Sequence, residues 1–156
     1  MPQIDIRTEI DSKIGIVFDL SRSIDLHQQS LSDTNEKAIA GRITGLIELN
    51  ETVTWEAKHF GFRFNLTSKI TELQKPNMFV DEMVKGPFKS FKHTHLFEEK
   101  NNLVIMHDKF EYLSPAGILG SFVDRIILES YMRELLVKRN EEIKKCSESD
   151  CWKKYL

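Results

Sequence analysis

The chain has 156 residues, of which 40% are hydrophobic and 29% are charged, and its formal net charge is -2 at pH 7. These values are typical of one soluble globular domain, and they exclude the basic charge that marks most nucleic-acid-binding domains. No basic segment followed by an apolar one opens the chain, and no apolar run approaches 18 residues. We therefore expect a cytoplasmic protein with no signal peptide and no membrane span.

The N-terminal third predicts one strand, two short helices and a second strand. Ile4, Ile6 and Ile10 share one face of an alternating segment over residues 3–10, which indicates a half-buried strand. Asp11 or Ser12 can cap a short helix over residues 14–20, and a second short helix is predicted over residues 24–31. A short strand between about residues 35 and 44 and a loop over residues 45–50 follow.

The middle of the chain predicts five strands joined by short turns. Period-two patterns cover residues 51–59, 63–73, 78–84, 90–98 and 103–112. The connections carry residues typical of turns: His59-Phe60-Gly61, Lys75-Pro76-Asn77, Lys85-Gly86-Pro87 and Lys100-Asn101-Asn102. Such short connections favour an antiparallel meander over βαβ units.

One long helix is predicted after the strands. Ser114-Pro115 is a good helix entry, and apolar residues recur at helical spacing from Ile118 to near Glu142. We expect a single domain over residues 1–145 and a polar, frayed tail over residues 146–156. The spacing of Cys146 and Cys151 does not match the common zinc-knuckle pattern, so two exposed cysteines are expected in the tail.

The order of elements and several segments resemble the START-like, or Bet v 1-like (SRPBCC), helix-grip superfamily, and in particular its bacterial polyketide cyclase/dehydrase-like branch. The likeness covers residues 1–142 and is carried by Thr52-Val53-Thr54-Trp55-Glu56-Ala57, His59-Phe60-Gly61, Leu66-Thr67-Ser68-Lys69-Ile70-Thr71, Phe79-Val80-Asp81-Glu82-Met83, Phe88-Lys89-Ser90-Phe91-Lys92-His93 and Asp108-Lys109-Phe110-Glu111-Tyr112 before Ser114-Pro115. The resemblance implies an α+β fold in which a curved antiparallel sheet of about six or seven strands wraps around the long C-terminal helix. Two short helices follow the first strand, and a cavity lies between sheet and helix.

His93 and His95 are the first candidate site residues. They lie two apart on a predicted strand, so both side chains leave the same face, and Phe91 and Phe97 flank them there. The spacing is that of a His-x-His metal pair, but zinc would need a third protein ligand from elsewhere. We expect the histidines to line a cavity or to hold structural hydrogen bonds, with no metal and no cofactor, although either could transfer a proton.

Asp108 shares the predicted inward face of the last strand. A buried carboxylate needs a partner, and His93 or His95 on the adjacent strand is the expected one. Only one of Asp81 and Glu82 can face inward, and the sequence leaves open which. The residues expected to contact a ligand are Trp55, Phe64, Leu66, Phe91, His93, His95, Phe97, Met106, Asp108, Phe110, Tyr112, Ile118 and Phe122.

The superfamily includes lipid carriers, hormone receptors, aromatases, cyclases and inactive binding modules, so the fold alone does not give the function. Our leading hypothesis is a monomer or homodimer that binds a hydrophobic small molecule, such as a lipid, an isoprenoid or a polyketide-like aromatic. The alternatives are a cyclase-, dehydratase- or aromatase-type enzyme that uses His93, His95 or Asp108 for proton transfer, and a partner-binding regulatory protein of the cell-division-related type.

Overall fold

The computed structural model describes residues 2–114 and 122–156. Its strands are β1 (Gln3–Ile10), β2 (Lys37–Gly41), β3 (Thr52–His59), β4 (Phe62–Gln74), β5 (Met78–Lys85), β6 (Ser90–Lys100) and β7 (Leu103–Leu113). Its α-helices are α1 (Ile14–Ser21), α2 (Ile24–Ser30) and α3 (Phe122–Ser147), and two short 3₁₀ helices cover Ser32–Thr34 and Asp150–Lys154.

All seven strands form one antiparallel sheet in the order β1-β7-β6-β5-β4-β3-β2. This confirms the predicted α+β class and the meander, with β1 paired alongside the last strand. The tightest turns have a local cause. Phe60 and Gly61 join β3 to β4, and Asn101 and Asn102 join β6 to β7, each with positive φ at both positions. Two-residue hairpin loops of this kind match the twist of the flanking strands and favour glycine and asparagine.

Helix α3 crosses the face of the sheet that carries the apolar residues, as predicted, and packs against β1, α1 and α2. It ends at Ser147, five residues beyond the predicted end near residue 142. The predicted helix entry at residues 115–121 lies outside the described residues. Along the described part, Leu136 and Ile143 are buried at helical spacing, whereas Ile126 and Ile127 are about half exposed.

The apolar core is concentrated under α1. The ring of Phe18 meets the rings of Phe79 and Phe97 edge-on at 5.7 and 5.3 Å between centroids. Met106 is fully buried beside them, and the hydroxyl of Ser21 lies 3.5 Å from its sulfur. This core fills the end of the sheet that α1 covers, so the remaining space lies beside it, under α3.

The C-terminal segment differs from the expected frayed tail. Cys146 is buried and forms a disulfide with Cys151, so the expectation of two exposed cysteines was wrong. Trp152 and Tyr155 pack against the main core, which gives the segment apolar contacts that its overall polarity conceals. None of the helices in the described residues is long and apolar enough to cross a membrane.

Candidate functional site

A cavity of about 440 Å³ lies between the sheet and α3. Its walls are mainly apolar and come from strands β3 to β7, from α3 and from the region of α1 and α2. Each of the five strands and α3 contributes at least one large apolar side chain: Trp55, Leu66, Phe79, Phe91, Phe110 and Leu136. Three further lining residues, Phe60, Phe64 and Ile127, are at least one-third exposed and mark the open end among the described residues. The opposite, closed end is polar.

Two histidines and two aspartates meet at this closed end. The strand register places Asp81 of β5 opposite His93 of β6, and His95 of β6 opposite Asp108 of β7. Nε2 of His93 donates to Oδ1 of Asp108 at 2.9 Å, and Nε2 of His95 donates to Oδ2 of Asp81 at 2.9 Å. The two imidazole rings lie 3.7 Å apart between centroids. The predicted pairing of Asp108 with the histidines is therefore present, with Asp81 as a second acidic partner.

Helix α3 completes this network from the other side. The side-chain amide of Asn140 donates to Oδ2 of Asp108 at 2.7 Å, and Nη1 of Arg139 lies 3.5 Å from Oδ1. Arg139 also donates to the side-chain oxygen of Asn140 and to the backbone oxygen of Ser21, each at 3.0 Å. Every partner of Asp108 is thus itself held by a second contact, which fixes the carboxylate between the sheet and the helix.

Burial and neighbouring groups set the charges at the closed end. Burial opposes the ionisation of Asp108, but its hydrogen bond from His93 and its proximity to His95 outweigh that effect and hold the pKa of Asp108 well below its usual range. The same balance, with His95 as the donor, lowers the pKa of Asp81. Burial, reinforced by repulsion from His95, lowers the pKa of His93 to about 4. His93 is therefore neutral at pH 7, beside two carboxylates.

Two further polar pairs line the cavity. Nε2 of His27 lies 2.7 Å from Oε1 of Glu36, and the His27 ring lies against that of Trp55 at 4.3 Å between centroids. Nearer the open end, Nδ1 of His59 lies 2.7 Å from the hydroxyl of Tyr131 on α3. The cavity therefore offers polar contacts at three separated points on apolar walls.

The structure separates the predicted site residues into four groups. Those that line the cavity are Trp55, Phe64, Leu66, Phe91, His93, His95 and Phe110. Asp108 lies directly behind the histidines, and Phe97, Met106 and Tyr112 lie elsewhere under the sheet face. Ile118 falls outside the described residues, and the side chain of Phe122 is likewise not described.

Those three buried residues do share the predicted inward face, but other parts of the fold cover them. Phe18 of α1 packs on Phe97, Ser21 approaches Met106, and Phe88 packs on Tyr112 at 5.8 Å between ring centroids. Strand alternation identifies a face, but not which part of that face remains open to a cavity.

The sequence reasoning missed the contribution of α3. It named no site residue on this helix beyond Phe122, yet Arg139 and Asn140 are buried. The available signal was their position between Leu136 and Ile143, because residues three, four and seven apart share one helix face. The structure also decides the open question at Asp81, which faces the cavity.

Comparisons with known proteins extend these observations. No protein-family model matches the chain, and no curated protein matches its sequence. Among solved structures, the chain is similar to TTHA0849 from Thermus thermophilus, with 16% identity, a TM-score of 0.72, and coverage of 94% of this chain and 99% of that one. It is also similar to the Zhui aromatase/cyclase from Streptomyces sp. R1128, with 10% identity, a TM-score of 0.71, and coverage of 94% and 93%.

A START superfamily protein from Mycobacterium smegmatis gives 9% identity and a TM-score of 0.67, with coverage of 92% of this chain and 97% of that one. These matches span nearly whole chains at low identity, so they establish the architecture. The chain has the helix-grip fold of the START-like and Bet v 1-like proteins, as the resemblance implied.

Proposed function

We propose that this protein binds a hydrophobic small molecule in the cavity between the sheet and α3. The observation that carries the proposal is the cavity itself, because about 440 Å³ of space remains between mainly apolar walls. Ligand pockets of this size usually combine apolar walls with a few placed polar groups. If side chains had filled this space, the chain would have had no room for a ligand there and the hypothesis would have been rejected.

The distribution of polar groups indicates the shape of the ligand. Asp81 and the two histidines lie at the closed end, and the His59–Tyr131 pair lies towards the opening. A molecule with an apolar body and an oxygen function at one or both ends fits this arrangement, because each end can then form hydrogen bonds. Lipids, isoprenoids and polyketide-like aromatics all have this character.

The first test is native mass spectrometry of freshly purified protein, followed by solvent extraction and identification of any released molecule. We expect one apolar adduct per chain, or, for protein purified empty, binding of a fluorescent fatty acid. Ala57 lines the cavity and has a small buried side chain, so Ala57→Phe should fill part of the space and abolish binding.

A matched control introduces the same side chain outside the cavity. Ile39 is 46% exposed on β2, and Ile39→Phe should leave binding unchanged.

Trp55 is one of two tryptophans, so in a Trp152→Phe background its fluorescence reports directly on the cavity. Equal binding by the Ala57→Phe and Ile39→Phe variants, both shown to be folded by circular dichroism, would contradict the proposal.

The closed end supports a second candidate, an enzyme of the cyclase, dehydratase or aromatase type. The supporting observation is that His93 and His95 line the cavity while Asp108 orients them from behind. Such an arrangement suits proton transfer to or from a bound molecule. The test uses the molecule recovered from the cavity as substrate: His93→Gln should abolish its conversion, and the surface variant His107→Gln should not. The partner-binding alternative stays a prediction from the sequence.

A further inference from the structure

Three side chains that could ligate a metal converge at the closed end of the cavity. Asp81, His93 and His95 each present one ligand atom, and these three atoms lie within 4.8 Å of one another. All three residues line the cavity, so an ion placed between them would be reachable from it. We infer that Asp81, His93 and His95 form a binding site for one divalent transition-metal ion.

Two of the three distances between these donor atoms are close to those that coordination requires. Nε2 of His95 and Nδ1 of His93 lie 2.9 and 4.0 Å from Oδ2 of Asp81. Tetrahedral ligands at zinc bond lengths lie about 3.4 Å from one another. The two distances lie on either side of that value, so shifts of about half an ångström at each side chain would bring both nitrogens to it.

Asp108 supplies the outer support that metal-bound histidines usually have. Its Oδ1 accepts from Nε2 of His93 at 2.9 Å and lies 3.0 Å from Nδ1 of His95, so one oxygen faces the remote nitrogen of both rings. Carboxylates in this position orient the imidazoles and strengthen them as ligands. Asn140 and Arg139 fix Asp108 in turn.

His95 carries a feature that the hydrogen-bond network alone leaves unexplained. Its Nδ1 is buried and has no hydrogen-bond partner among the described residues, although Oδ1 of Asp108 lies 3.0 Å away. In the metal-bound state, the ring N–H of His95 would lie at Nδ1, facing Asp108, and Nε2 would offer its lone pair to the ion.

The donor set indicates the class of ion. Two imidazoles and one carboxylate without a thiolate suit zinc and ferrous iron, which both occur at sites with three protein ligands and open positions. The ring of Phe79 stacks on His95 at 4.0 Å and 15° and limits its rotation. The site does not depend on the proposed hydrophobic ligand, since all three donors belong to the chain.

The test titrates chelator-treated, oxidised protein with Zn²⁺ alone by calorimetry, and with Co²⁺ alone by absorption spectroscopy. We expect one Zn²⁺ per chain with a dissociation constant of about 1 µM or tighter. His93→Gln and Asp81→Asn should each weaken binding by about 100-fold or more, and Asp108→Asn, which changes only the outer support, by about 10- to 100-fold. The Co²⁺ spectrum should show no thiolate charge-transfer band.

His107→Gln is the matched control, because His107 also pairs with a carboxylate, Asp5, at 2.8 Å, but this pair lies on the surface outside the cavity. It should bind Zn²⁺ like the wild type. Circular dichroism identifies any variant that fails to fold. If His93→Gln does not fold, Asp81→Asn, in which the new side chain has the same shape as the old one, provides the test. No Zn²⁺ binding by the wild type, undiminished binding by folded Asp81→Asn, or a thiolate band would overturn the inference. None of these results depends on the fatty-acid assay, so the two proposals fail separately.

Discussion

The first prediction concerns the charge of Asp108, which is fully buried between the sheet and α3. Asp108→Asn keeps the size of the side chain and one acceptor oxygen but removes the negative charge. The hydrogen bond from His93 can persist, whereas buried Arg139, 3.5 Å away, loses its nearest counter-charge. The substitution therefore tests whether the network at the closed end stabilises the fold.

The expected loss of stability depends on the charged groups that remain after the substitution. Removing one member of a buried ion pair costs about 3–5 kcal/mol, since the other charge stays buried and uncompensated. Asp81 also interacts electrostatically with Arg139 and compensates part of the loss, so we expect the lower end, about 3 kcal/mol. With a urea dependence of about 2 kcal/mol per molar, the unfolding midpoint should fall by about 1.5 M.

A surface pair of the same chemistry is the control. Asp5 and His107 form an exposed contact of 2.8 Å between β1 and β7, and Asp5→Asn should cost about 1 kcal/mol or less. The assay is urea unfolding of chelator-treated protein, followed by circular dichroism. If Asp108→Asn lowers the urea midpoint no further than Asp5→Asn does, water screens the charges at the closed end so well that Asp108 and Arg139 do not stabilise each other. The predicted loss of stability would then be wrong.

Two further predictions concern the C-terminal segment and the open end of the cavity. Cys151→Ser removes the disulfide with Cys146 and should lower the free energy of unfolding by about 2 kcal/mol. A reducing agent should destabilise the wild type by the same amount and leave the variant unchanged. A wild type whose stability does not respond to the reducing agent would contradict this prediction. Burial lowers the pKa of His59 in the folded protein, so as the pH falls His59 is protonated in the unfolded chain before it is protonated in the folded one. The free energy of unfolding therefore decreases below about pH 6.5. His59→Gln should reduce the fall in urea midpoint between pH 7.5 and 5.5, and an unchanged fall would refute the assignment.

The strands were easier to predict from the sequence than the positions of the helices that cover the sheet. Period-two alternation gave β1, β3, β4, β6 and β7 to within a few residues, because each of these strands presents one face to the apolar side of the sheet. The same alternation could not separate Phe91, which lines the cavity, from Phe97, which α1 covers. That difference depends on where a helix distant in sequence comes to lie, and no local pattern reports it.

The acidic partners show the same limit at the site. Residues 78–84 are apolar on both faces, so alternation alone could not choose between Asp81 and Glu82. The cross-strand register decides: Asp81 lies opposite His93, whereas Glu82 lies opposite Lys69 and Lys92 on the other face. Pairing each carboxylate with the charges on both neighbouring strands would have found the cavity-facing one.

The walls and the closed end of the cavity impose opposite requirements on one space. Apolar walls favour a hydrophobic body, but they also raise the cost of any polar atom of Asp81 or the two histidines that is left without a partner. A metal ion and an oxygen-bearing ligand would each relieve that cost at the same point. Their binding must then be coupled, and by linkage Zn²⁺ must change the affinity for the fatty acid by the factor with which the fatty acid changes the affinity for Zn²⁺. Equal factors above one would show that the metal holds the polar end of the ligand, and equal factors below one would show that the two compete for the same donors.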